Sequence, residues 1–128
     1  MTVQQMRDSI NSFCENDKEM GLIYHYLDNV LDWPVDRTFE QLVMLDELKK
    51  RMGEEVTHFS FTKKDGSVRQ AYGTRLSEII VRHEGATLPP QNQRQRTGGT
   101  FPYFDIERQA WRCFKVESLM DIDRGYCV

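Results

Sequence analysis

Apolar positions recur at helical spacing through the N-terminal part of the chain and alternate beyond it. Val3, Met6, Ile10 and Phe13 fall on one helical face. Thr2 followed by Gln5 has the form of a capping box, which predicts a helix start there. Asn16-Asp17 can stop that helix and cap the next. Met20, Ile23, Tyr24, Leu27, Val30 and Leu31 form a second stripe. It ends at Trp33-Pro34, because the residue before a proline is pushed out of the α region. Thr38 with Gln41 reads as a second capping box, followed by Phe39, Leu42, Val43, Leu45 and Leu48 on a third apolar face. Lys49-Lys50-Arg51 then lie at the negative end of the helix dipole, and Gly53 suits a C-cap.

From Glu54 the period falls to two. Val56 to Thr62 is rich in β-branched and aromatic residues, and Val68 to Thr74 is its natural partner. Asp65-Gly66 between them is a strong signal for a two-residue type I′ turn. That turn places Phe59 opposite Tyr72 and Phe61 opposite Gln70; a bulged turn shifts the pairing by one residue and exchanges the faces. Leu76 to His83 fits either a short helix or a strand. Gly85 to Gly99 carries Pro89-Pro90, Gly98-Gly99, Arg94 and Arg96, and is predicted to be an exposed mobile loop. A second hairpin is predicted from Phe101 to Ile106 and Trp111 to Val116, with a short last strand over Leu119 to Ile122. The predicted class is α+β, with a helical segment over 1–53 of about three helices and a strand-rich domain over 54–128. Isolated helices of this length are marginal in water, so the helical segment is expected to pack on the strands or on another subunit.

Composition narrows the class. With 128 residues, 39% of them hydrophobic and 29% charged, the chain suits one soluble globular unit. The longest apolar run, Leu42 to Leu45, is far too short for a bilayer, so no membrane association is expected. The first residues lack a basic n-region and an apolar h-region. Cys14, Cys113 and Cys127 are odd in number and scattered, which favours a reducing compartment, and the expected location is cytoplasmic. The net charge of −3 is unevenly divided. Ten acids face six bases over 1–53, giving −4, and ten face eleven over 54–128, giving +1.

Signals for catalysis are poor. His25, His58 and His83 are far apart, and neither a His-Glu-x-x-His nor a Cys-x-x-Cys spacing occurs. No phosphate loop or nucleophile elbow occurs either. The expectation is a non-enzymatic protein without metal or cofactor. The stronger constellation combines aromatic and basic side chains on the strands: Lys63, Lys64, Arg69 and Tyr72 on the first hairpin, Tyr103, Trp111, Arg112 and Lys115 on the second. Arginine forks suit phosphate oxygens, and flat rings stack bases. Large aromatics in half-buried strands are more often core, and lysines beside a turn more often serve solubility. Mid-strand arginines such as Arg69 and Arg112 are harder to set aside, because a covered arginine must pair, stack or meet a ligand.

Phe59-Ser60-Phe61-Thr62-Lys63-Lys64-Asp65-Gly66-Ser67-Val68-Arg69-Gln70-Ala71-Tyr72-Gly73-Thr74 resembles the opening hairpin of small bacterial and phage Sm-like SH3 β-barrel proteins related to the WYL domain. Tyr103 to Ile106 and Ala110 to Leu119 resemble the closing segment. The resemblance implies a small, strongly bent barrel of about five strands with a ligand-sensing or nucleic-acid-binding role. The chain departs from regulators of that kind in having no evident helix-turn-helix joined to the barrel, and no Trp-Tyr-Leu string. The expected function is recognition of nucleic acid or a nucleotide through Arg69, Arg112, Tyr72, Trp111 and Tyr103, with Lys63 and Lys64 in support, in a regulatory or phage-defence setting. The alternative is an adaptor whose acidic helices dock a protein partner or a second copy, with the barrel as scaffold.

Overall fold

The computed structural model describes residues 1–82 and 98–123. The periodicity switch falls where expected. Helix α1 spans Val3–Asn16, α2 spans Lys18–His25 and runs on into a π-helical turn over Tyr26–Val30, and α3 spans Val35–Met52. Thr2 and Gln5 exchange both bonds of a capping box, and the Asp17 carboxylate accepts from the backbone N–H of Glu19 and Met20 to open α2. The second predicted capping box does not form. Helix α3 starts earlier, after Pro34, whose ring presets the backbone so that no side-chain cap is required. Thr38 is thereby buried inside the first turns. Gln41 turns away from the helix, and its Nε2 donates to the carbonyls of Val116 at 2.8 Å and Leu119 at 3.1 Å. The ambiguous segment is a helix, α4 over Ser77–Arg82.

Five strands follow the N-terminal helices: β1 Thr57–Thr62, β2 Val68–Thr74, β3 Thr100–Asp105, β4 Ala110–Lys115 and β5 Leu119–Ile122. They form one antiparallel sheet in the order β4-β3-β2-β1-β5. In a flat sheet β1 and β4 would lie about 14 Å apart, three strand spacings. Instead the rings of Phe59 and Phe61 each stand 5.3 Å from that of Phe114. The sheet is therefore strongly bent, and its concave face closes over Phe59, Phe61, Phe101, Tyr103 and Phe114. Helical side chains Ile10, Met20, Ile23, Leu27, Leu42, Leu45, Leu48 and Met52 join the same hydrophobic cluster. The helical segment packs on the barrel.

Polar contacts fix that packing. Thr74 Oγ1 and Arg75 N both donate to the Met52 carbonyl, and Arg75 grips Glu19 with a two-pronged fork at 2.7 and 2.8 Å. Lys49 Nζ binds Asp17 and Glu19 from the other side. Burial alone would raise the Glu19 carboxyl; the Arg75 fork and the Lys49 ammonium outweigh it and hold it at about 2.

The first hairpin takes the bulged course. Lys63 N donates to Ser67 O, Gly66 N donates to Lys63 O, and Gly66 has φ of +87°. This is a three-residue loop with glycine in the left-handed position, not a type I′ turn. The Asp65 carboxylate accepts from Ser67 N and Oγ, which favours it. Phe59 consequently pairs with Ala71 and Phe61 with Arg69, one residue from the two-residue register. Gly98 and Gly99, expected to be flexible, are buried. A Cβ on Gly98 would lie 2.0 Å from the Leu22 carbonyl oxygen, so its role is close approach to α2. Cys113, at an apolar phase in sequence, is exposed on the outer face of β4. The rest of the predicted loop, with Arg94 and Arg96, lies outside the described residues, as does Cys127. Among the described residues no helix is long and apolar enough to cross a membrane.

Candidate functional site

Strand registers assign each candidate to a face. Directly paired residues in an antiparallel sheet share a face. Phe61 pairs with Arg69, Gly73 with Asp105, Asp105 with Ala110 and Tyr103 with Arg112. With strand alternation, Arg69, Tyr103, Asp105 and Arg112 all lie on the concave face with the aromatic cluster. Tyr72 and Trp111 lie on the outer face. The bulged turn brings Arg69 inward; the type I′ register would have brought in Tyr72 and Gln70 instead.

On the concave face two guanidinium groups converge on one carboxylate. Arg69 Nη2 donates to Asp105 Oδ2 at 2.9 Å, and Arg112 Nε lies 4.0 Å from the same oxygen. Asp105 Oδ1 accepts from the backbone N–H of Arg108 in the β3–β4 turn at 3.1 Å. The Asp105 side chain is fully buried, Arg69 is 17% exposed and Arg112 is 45% exposed. Tyr103, fully buried, is the cross-strand partner of Arg112. Burial and the neighbouring Asp105 charge push its phenol above the ordinary range, so it is a neutral donor. Its hydroxyl lies beside Arg112 without a well-formed hydrogen bond, and Arg69 Nε also lacks a partner among the described residues.

Strands β1 and β3 run in the same direction, each antiparallel to β2, but they are staggered: Asp105 at the end of β3 pairs with Gly73, beside Thr74 and the Met52 junction, whereas the β1–β2 turn lies at the other end of β2. Arg69, Arg108 and Arg112 gather about Asp105, with Glu107 in the same turn as Arg108, whereas Lys63, Lys64 and Asp65 lie apart at the β1–β2 turn. Lys63 and Lys64 are exposed at the turn, as electrostatic support requires.

The seven candidates do not form one surface. Trp111 packs edge-on against Phe104 on the outer face, ring centroids 5.9 Å apart. Tyr72 stacks on His58 there at 4.5 Å, and His58 Nδ1 meets Asp123 Oδ2 at 3.1 Å. A separate cleft of about 410 Å³ opens beside that stack, lined by His58, Phe59, Ser60, Gln70, Asp121, Ile122 and Asp123. Its two aspartates make it a poor seat for phosphate. Tyr103 is too deeply covered to stack a base. Asp105 is the residue that sequence reasoning missed. Its signal was present: Phe101, Tyr103 and Asp105 share one strand phase, so an acid stands at an inward position of an aromatic strand. Among the described residues no group of three His, Cys, Asp or Glu side chains could hold a metal.

The family model described as WYL_2, Sm-like SH3 beta-barrel fold, matches residues 45–120, from within α3 through all but the end of β5. An uncharacterised 11.5 kDa protein from the Gp31-cd intergenic region of Enterobacteria phage T4 is 31% identical over 87 residues, which cover 67% of this chain and 84% of the phage protein. No solved structure matches the chain significantly. The strand order, the bent sheet and these similarities agree: the chain belongs to the WYL_2 family of Sm-like SH3 β-barrel proteins.

Proposed function

We propose that this protein is a non-enzymatic binding module that recognises a phosphate-bearing ligand, nucleic acid or a nucleotide, at the arginine cluster around Asp105 on its barrel. The observation that carries this reading is the pair of guanidinium groups on a single buried carboxylate, with Arg112 the exposed one. Two positive charges against one negative leave a surplus cation on strand β4. Arg108 beside the cluster, and Lys63 and Lys64 at the more distant β1–β2 turn, add long-range attraction. Arg69 differs from Arg112 in role: its 2.9 Å bond to Asp105 orients the cluster, and Arg112 is the arm that reaches the ligand. An Sm-like SH3 barrel is a binding-type fold, which agrees with this reading. An adaptor role for the helices calls for an exposed apolar stripe; Ile10, Met20, Ile23, Leu27, Leu42, Leu45 and Leu48 are covered by the molecule's own core, and Val3, Val30 and Val43 are exposed on separate helices.

Fluorescence anisotropy with a labelled single-stranded oligonucleotide and a nucleotide panel, at two salt concentrations, tests the proposal. Wild type is expected to bind at low salt and to weaken as salt rises. Arg112→Ala is expected to lose about 1.5–3 kcal/mol, roughly one to two decades. Lys63→Ala and Lys64→Ala should cost less, with the loss confined to low salt. Absence of wild-type binding at low salt up to about 100 μM protein would remove the proposal, because even non-specific nucleic-acid binders usually register there.

A further inference from the structure

The arginine cluster holds more donors than acceptors. Asp105 Oδ1 is occupied by the Arg108 backbone N–H and Oδ2 by Arg69 Nη2. Arg112 Nε, at 4.0 Å, is attracted by that carboxylate but stands outside hydrogen-bond distance. Arg69 Nε and Tyr103 Oη are buried without partners among the described residues. A site with donors left over among the described residues and a surplus positive charge is suited to a small oxyanion.

We infer that Asp105 is the resident counter-anion of the ligand site: it offsets the charge of Arg112 in the free protein, and one phosphate group of the ligand takes over that role on binding. The inference rests on the phosphate-binding reading above. The asymmetry of the two arginines supports it. Separating Arg69 from a fully buried carboxylate would strand a charge without water, whereas Arg112 is nearly half exposed and can change partner at little cost. A single mobile guanidinium fork engages one phosphate, either a terminal monoester or one diester of a strand. The negative charge of Asp105 then lowers affinity, keeping the site from holding every stray anion.

The test is a double-mutant cycle on Asp105 and Arg69, read by binding of two labelled oligothymidylates, one with and one without a 5′-phosphate. Thermal unfolding of each variant runs alongside. Asp105→Asn should tighten binding by up to about five-fold, the scale of a partly exposed ion pair. Arg69→Gln should weaken it, because Asp105 then turns wholly to Arg112. The double variant Arg69→Gln/Asp105→Asn should recover wild-type affinity or exceed it. It also removes both buried charges together, the change best tolerated in a folded core, so the cycle stays informative if Asp105→Asn unfolds. Preference for the 5′-phosphorylated strand assigns the site to a terminal phosphate, and equal affinity assigns it to the diester backbone; either supports the inference. If Asp105→Asn binds no tighter than wild type, or if the double variant stays as weak as Arg69→Gln, the counter-anion role is overturned while phosphate binding stands. If neither wild type nor Asp105→Asn binds, both fall.

Discussion

Single atoms decide what the cluster around Asp105 can do. Tyr103 carries a buried hydroxyl without a hydrogen-bond partner among the described residues, which costs free energy in the unliganded fold. Tyr103→Phe should therefore keep full stability or gain up to about 1 kcal/mol in urea unfolding. A loss larger than about 1 kcal/mol would mean that the hydroxyl is paired. Glycines provide a second contrast. Gly66 and Gly98 both have positive φ, at +87° and +85°. A Cβ on Gly66 meets nothing within 4 Å, while one on Gly98 lies 2.0 Å from a backbone oxygen of α2. Gly66→Ala should cost only the left-handed strain, about 1–2 kcal/mol. Gly98→Ala adds a backbone clash and should cost at least about 3 kcal/mol. Equal urea midpoints for the two variants would show that Gly98 is not pinned against α2. The sequence hid this role because a Gly-Gly pair after a polar stretch looks the same whether it flexes or packs.

Between elements, the salt-bridge joint from α2 to the barrel makes stability depend on pH. The Glu19 carboxyl lies at about 2 in the fold, below its unperturbed 4.5. A lowered carboxyl stabilises the folded state at pH above the unfolded value, and the contribution fades as pH falls from about 4.5 through 2. Its full size is about 3 kcal/mol at most. Glu19→Gln should be less stable than wild type at pH 7 and should show a shallower loss from pH 5 to pH 2, measured by urea midpoints. Parallel profiles for the two proteins would contradict the joint's role. Much at this scale was legible in sequence. The Thr2–Gln5 cap, the Asp17 cap, the stop near Pro34 and the change of period at Gly53 each follow from local chemistry. The early start of α3 was not, because Thr38 and Gln41 fit a cap and also fit what they do: one buried, the other bonded to the barrel 75 residues away in sequence. The hairpin register turned on one residue. Asp65-Gly66 suits both a two-residue turn and a bulged one, and the side-chain bonds from Asp65 to Ser67 favour the second.

At the scale of the molecule, strand order and register determine which candidates meet. Arg69 and Arg112 sit on the two strands that flank β3, so both reach Asp105 on the strand between them. Residue type and mid-strand position singled out the two arginines. Face assignment did not follow, since it depends on the bulge, and it removes Tyr72 and Trp111 from their company. The helices meet the barrel at Met52, Thr74 and Arg75, beside the strand register of Asp105 and Arg112, while Lys63 and Lys64 project from the β1–β2 turn at the other end of β2. The central claim is that a phosphate-bearing ligand meets Arg112 at the Asp105 cluster. The most direct measurement is an NMR titration with a short oligothymidylate, following the Arg112 Nε–H and the backbone amides from Tyr103 to Arg112. Binding there should shift the Arg112 side-chain signal and the amides of the β3–β4 turn, with those of α1 to α3 unmoved. Shifts confined to the helices or to the His58–Tyr72 face, with Arg112 unperturbed, would contradict the account.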